Sequence, residues 1–207
     1  MKNKKKGLVA FFINLIIVFL EIIGVVLSIK RRGVSAFMFY TEIVNYFTLG
    51  VSVWFVLEYL IKQKASMFTM CLRFTSTVCL SVTFIMVVTV LIPMFPNTFI
   101  FMMFKDSNLY QHLICPVLSI LSLILFENTN KFKKIYILYA LIPTFIYGVI
   151  CIILNLTKVI IGPYPFFYLY EIPWYISIPW LVGVFLVVCG VDILIFWLHN
   201  KKFLRKK

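Results

Sequence analysis

The chain has 207 residues, 63% of them apolar and 13% charged, and twenty Lys and Arg against seven Asp and Glu give a formal net charge of +13. Soluble domains carry about a quarter charged residues, so composition excludes that class and makes the bilayer the solvent to reason about. The basic residues flank apolar blocks and form no aromatic-interleaved groove, which argues against nucleic acid as a partner.

Measured against the roughly 20 residues a helix needs to cross the hydrocarbon core, the apolar runs predict spans at 7–29, 37–61, 70–93, 108–126, 133–155 and 175–199. Alternating strands of about 10 residues, the mark of an outer-membrane barrel, are absent. The expected fold is an all-α six-helix membrane bundle, one domain over residues 1–207.

The first span follows a basic stretch, Lys2, Lys4, Lys5 and Lys6, as a signal peptide would. It ends in Ser28-Ile29-Lys30 without a small-residue cleavage site, so it is expected to stay as a helix. Asn14, Glu21 and Ser28 recur every seven residues and share one of its faces. In the second span Thr41, Asn45, Thr48 and Ser52 form a polar stripe with Glu42 beside it. Arg73, Thr77 and Ser81 repeat the pattern in the third, His112, Cys115, Ser119 and Ser122 in the fourth, and Asp192 with His199 in the sixth. Between the fifth and sixth, 156–174 holds Gly162, Pro163, Pro165 and Pro173 among aromatic residues including Tyr164, Phe166 and Phe167. It continues neither helix and is expected at the membrane interface, as a lid on a lipid cleft or an anchoring aromatic belt.

Ionisable groups in hydrocarbon cost several kcal/mol, so Asn14, Glu21, Glu42, Asn45, Thr48 and His112 are expected to face one interior cavity. Pairing among Glu21, Glu42, Arg73 and Asp192 is the cheaper structural explanation of those charges, and Arg73 and Glu58 lie near enough an edge to snorkel. A single Ser or Thr in such a helix reads first as a packing or backbone-bonding residue. The five cysteines fall within spans and form no Cys-x-x-Cys pair, so no disulfide framework, metal site or cofactor is expected.

Fourteen basic residues at the N-terminus, second connector, fourth connector and tail face five on the other side, which predicts cytoplasmic termini. Sixteen Lys against four Arg, with abundant Ile, Phe, Tyr and Asn, point to an AT-rich bacterium and its plasma membrane. Membrane lipids are the expected partners; oligomeric state is open.

Asn45-Tyr46-Phe47-Thr48, His112 four residues before Pro116, and Gly162-Pro163-Tyr164-Pro165-Phe166-Phe167 occur in that order on successive segments. Together they resemble landmarks of the androgen-induced-gene-like membrane proteins, whose bacterial relatives are small six-span proteins. The resemblance implies hydrolysis of fatty-acyl esters inside the membrane, with Thr48 as nucleophile and His112 as base. The chain differs from that family in a shorter histidine–proline interval and in Gly50-Val51-Ser52 after the Tyr-Phe-Thr motif.

A Thr hydroxyl attacks only when a base within hydrogen-bond reach takes its proton, and imidazole titrates near neutrality. Asn45 is a candidate donor to the oxyanion, and Glu42 or Glu21 a candidate to orient the imidazole. Depth leaves an alternative open: Thr48 lies about 16 Å down its helix and His112 about 6 Å down its own. Unless the fourth helix starts deep or tilts, His112 meets Thr41, Glu42 and Asn45 instead. A carrier using Glu21, Glu42 and Asp192 for coupling, and a non-catalytic scaffold, are the competing functions.

Overall fold

The computed structural model describes residues 2–127 and 131–204. Arg205, Lys206 and Lys207 of the basic tail lie outside the described residues. Six helices are long and apolar enough to cross a membrane, and the protein is an all-α, multi-pass integral membrane protein. They are α1 (Lys2–Arg32), α2 (Tyr40–Lys62), α3 (Met67–Met94), α4 (Leu109–Phe126), α5 (Ile135–Leu156) and α6 (Trp174–Leu204). With an even number of spans both ends share one side, called the terminal side here; the connectors 33–39, 95–108 and 157–173 lie on the far side.

Helix α1 runs past the expected boundary at 29 to include Lys30, Arg31 and Arg32. Long basic side chains are good helix formers, and their charge suits the negative end of the helix dipole. Gln63 in the left-handed conformation ends α2, its N–H donating to the Tyr59 carbonyl. Ser66 caps α3 by accepting from the Thr69 N–H at 3.2 Å. Glu58 does not snorkel: it is buried and accepts from Lys62 Nζ, Ser66 N and Oγ, and Thr69 Oγ1, closing the α2–α3 turn.

Helix α3 lies among α2, α4, α5 and α6, buried without interruption from Arg73 to Thr83. In contrast, α5 turns Leu138, Ile142, Phe145, Ile146 and Ile153 outward, a lipid-facing surface. Two helices loosen before a proline. Val87–Leu91 precedes Pro93 and Leu109–Ile114 precedes Pro116 in the wider i→i+5 register, with the Cys115 N–H donating to Tyr110. A proline supplies no N–H to the preceding turn, and such wide turns gather at functional sites.

Candidate functional site

All six polar residues expected inside the bundle are buried, but they do not share one cavity. Asn14 belongs to a cluster toward the terminal side. There Arg73 Nη2 and Nε donate to Glu127 Oε1 at 3.0 and 3.1 Å, and Nη2 also reaches Ser119 Oγ at 3.2 Å. Asn14 Nδ2 and Ser122 Oγ donate to the same Glu127 oxygen at 3.1 and 2.7 Å. Arg73 neither snorkels nor pairs with Glu21, Glu42 or Asp192; Glu127, at the end of α4, holds it. The composition of the connector gave no sign of that partner, since Glu127 follows an apolar span and reads as solvated.

Toward the far side, Glu42 in the first turn of α2 accepts from Gln111 Nε2 at 2.8 Å and lies 3.9 and 3.7 Å from Arg31 and Arg32. It therefore holds Gln111, and the imidazole of the next residue has another partner. His112 Nδ1 donates to the Met102 carbonyl at 2.7 Å, which fixes the tautomer and leaves Nε2 as the basic nitrogen. Met102 lies on a short helix, Phe99–Phe104, that Asn108 Nδ2 ties to the start of α4 through the Phe101 carbonyl at 2.9 Å. A backbone carbonyl takes the orienting role expected of Glu42 or Glu21. Asn45 Nδ2 donates to the Thr41 carbonyl of its own helix, so it is not aimed at an oxyanion.

Thr48 is fully buried and its hydroxyl has no hydrogen-bond partner, so it is not bonded to His112. Gln111, bonded to Glu42, sets the level of His112; Thr48 is six residues further along α2, about 9 Å deeper at 1.5 Å per residue. His112 instead faces a cavity of about 180 Å³ whose wall includes Thr41, Arg32, Asn108 and Tyr164. This is the alternative that depth left open.

A second cavity, of about 220 Å³, lies among α2, α3, α5 and α6 and is almost wholly apolar, with Val82, Met86, Leu141, Val184 and Val188 in its wall. Thr41, Leu91 and Tyr164 belong to both cavities. The loop carrying Tyr164, Pro165 and Phe166 covers this junction, with Tyr164 and Phe167 buried beneath it. Gly162, at φ +120°, lets the chain double back: a Cβ there would stand 3.1 Å from Phe167 Cβ. Asn155 fixes the loop, its Nδ2 donating to the Ile160 and Ile161 carbonyls and its Oδ1 accepting from the Leu169 N–H at 2.8 Å. Asn155 closes the fifth span and was not singled out by pattern, since a polar residue at a helix end reads as a cap.

Tyr164 OH accepts from the Thr41 N–H, one of the free donors at the start of α2, at 3.3 Å. Burial pushes its phenol up to about 12, so at neutral pH it keeps a proton to donate. The junction therefore offers a basic imidazole nitrogen, a Thr hydroxyl, a phenolic donor and the Arg32 guanidinium beside an apolar chamber. Compared with models of known protein families, with characterised proteins and with solved structures, the chain matches none.

Proposed function

We propose that this protein is an intramembrane hydrolase of acyl esters, its lipid tail held in the apolar cavity and its ester beside His112. The observation that carries this reading is the shared wall: Thr41 and Tyr164 belong both to the apolar chamber and to the polar one containing His112. An amphiphile with a hydrocarbon tail and a polar ester matches that arrangement. The resemblance of its motifs to the androgen-induced-gene-like hydrolases supports the same chemistry.

His112 Nε2 is the base that takes a proton as a hydroxyl attacks, and Tyr164 OH donates to the oxygen on which charge develops. Two threonines are candidates for the hydroxyl. Geometry favours Thr41, which shares the His112 cavity, over Thr48, to which the resemblance assigns the attack. His112 returns that proton to the oxygen of the departing alcohol as the substrate C–O bond breaks; it then takes a proton from the water that attacks the acyl-Thr ester and gives it back to the Thr oxygen as the fatty acid leaves.

Labelling of the purified protein by a fluorophosphonate carrying a long alkyl chain tests this, followed by identification of the modified residue. Modification of Thr41 supports the geometric assignment, and of Thr48 the assignment by resemblance. No labelling in wild type, or labelling unchanged in His112→Ala, contradicts the hydrolase. The termini are proposed to lie in the cytoplasm of a bacterial cell, a reading supported by the basic asymmetry and tested by the accessibility of a cysteine placed at residue 3.

A further inference from the structure

Two arginines close α1 on the far side, and they are held differently. Arg31 is fastened: its Nη2 donates to Ser107 Oγ and Asn108 Oδ1 at 2.9 and 3.1 Å. Arg32 is stacked, its Cζ 4.1 Å from the centre of the Phe39 ring, and its Nε is buried without a hydrogen-bond partner. Glu42 stands 3.7 Å from that nitrogen, outside hydrogen-bond range, and is shared with Arg31 at 3.9 Å. One carboxylate thus answers two guanidiniums. The other acids of this side, Asp106 and Glu171, are exposed, and water screens them.

The uncommitted guanidinium belongs to the wall of the His112 cavity, with Thr41, Tyr164 and Tyr168. Phe39 covers one face of its plane, so its N–H groups are presented edgewise, the geometry in which Arg takes two oxygens of one anion. The Arg32 side chain keeps 30% exposure, which sets it at the watery mouth, while the apolar chamber joins the cavity at Thr41, Leu91 and Tyr164. Phe145 and Phe185 in the wall of that chamber are 62% and 49% exposed, so it opens sideways to lipid. Charge, reactive group and tail site therefore follow one another from the interface inward.

We propose that Arg32 binds the phosphate of a phosphodiester lipid, which makes an acylglycerol phospholipid the substrate class of this site. One unanswered positive charge matches a phosphodiester, which carries a single negative charge; a phosphate monoester carries more. Size sets the spacing. A cavity of about 180 Å³, on the order of 7 Å across, holds an anion and an ester together only when a few bonds separate them. In an acylglycerol phospholipid the ester and the phosphate stand on neighbouring glycerol carbons, whereas a carboxylate at the far end of a long acyl chain does not fit the same cavity. The lateral opening leaves a second tail room in the bilayer. The substrate class rests on the hydrolase reading; the contact between Arg32 and phosphate does not.

Ether-linked lipids test recognition apart from chemistry, because they carry no ester to cleave. Binding of dialkyl phosphatidylglycerol, and of the dialkylglycerol with the same chains, is measured on the purified protein in detergent micelles. Wild type is expected to bind the phospholipid about 10- to 100-fold more tightly, as one bidentate ion pair supplies. Arg32→Gln is expected to bind the two alike, and Arg32→Lys to keep only part of the preference; should Arg32→Gln fail to fold, the lowered preference of Arg32→Lys carries the test. Lys158→Gln, which removes an exposed charge on the same side but outside the cavity wall, is expected to keep all of it. Equal affinity for the two lipids in wild type, a preference undiminished in both Arg32 variants, or a loss of the same size in Lys158→Gln would each overturn the site. Arg32-dependent binding with no hydrolysis of any acyl ester would leave the contact standing and contradict the hydrolase; hydrolysis of neutral esters alone would overturn the phospholipid as substrate.

Discussion

Around Arg73, four helices bring together a guanidinium, a carboxylate, an amide and several hydroxyls, and only Asn14 Oδ1 among them lacks a partner. Elsewhere in the bundle the oxygens of Glu21, Ser28 and Thr48, with Asn45 Oδ1 and Gln111 Oε1, are buried without a hydrogen-bond partner. Both regions are buried in the same bundle, at a similar cost of removing polar groups from water. The difference teaches how to read a buried polar stripe. A closed network offsets its desolvation internally and fastens helices to one another; buried polar groups without partners do neither.

Breaking the closed network is expected to cost most. Arg73→Met leaves the Glu127 carboxylate buried without its cation, a loss of about 3–5 kcal/mol that thermal unfolding in detergent will read. Removing both charges, in Arg73→Met with Glu127→Leu, is expected to cost less than removing Arg73 alone. Equal or greater loss in the double variant would mean that the pair is not what holds the four helices.

Asn155→Ala frees the loop over the cavities. It removes three hydrogen bonds, at about 1 kcal/mol each, and hydrogen exchange at residues 160–170 is expected to accelerate while the bundle stays protected. Among the unpartnered groups, Ser28→Ala is expected to change stability by less than about 1 kcal/mol, since its hydroxyl has no oxygen or nitrogen partner within hydrogen-bond range. A loss as large as that of Arg73→Met would erase the contrast between the two regions.

A pH-dependent effect concerns Tyr164. Its phenol is held at about 12 by burial, above the ordinary value of about 10. Between those values the unfolded chain has released the proton and the folded one keeps it, so this contribution to stability is level below about pH 10, falls as pH rises toward 12, and then levels again. Unfolding of Tyr164→Phe across that range is expected to lack the fall.

The six spans were legible because hydrocarbon thickness sets a length that a run of apolar residues must meet. Helical period was equally reliable about which side chains point inward: Asn14, Glu21, Glu42, Asn45, Thr48 and His112 are all buried. What period cannot supply is depth. Asn14 and Glu42 lie on inward faces of α1 and α2, yet one meets Glu127 and the other Gln111, because shared orientation says nothing of shared level. Nor do residue types reveal a backbone partner. The carbonyl of Met102 orients His112, and any residue in that position would offer the same atom. Thr41 and Thr48, seven residues apart on one stripe, are alike in sequence pattern, yet Thr41 lines both cavities described and Thr48 lines neither.

The account rests on a lipid tail and a reactive ester meeting at the junction beside His112. Hydrolysis of a long-chain acyl ester by the purified protein in nanodiscs, compared between wild type and His112→Gln, tests that most directly. Loss of the base is expected to lower turnover about 10²- to 10⁴-fold while the helical fold persists. Equal rates in the two proteins, or no hydrolysis by wild type of any acyl chain length, would contradict it.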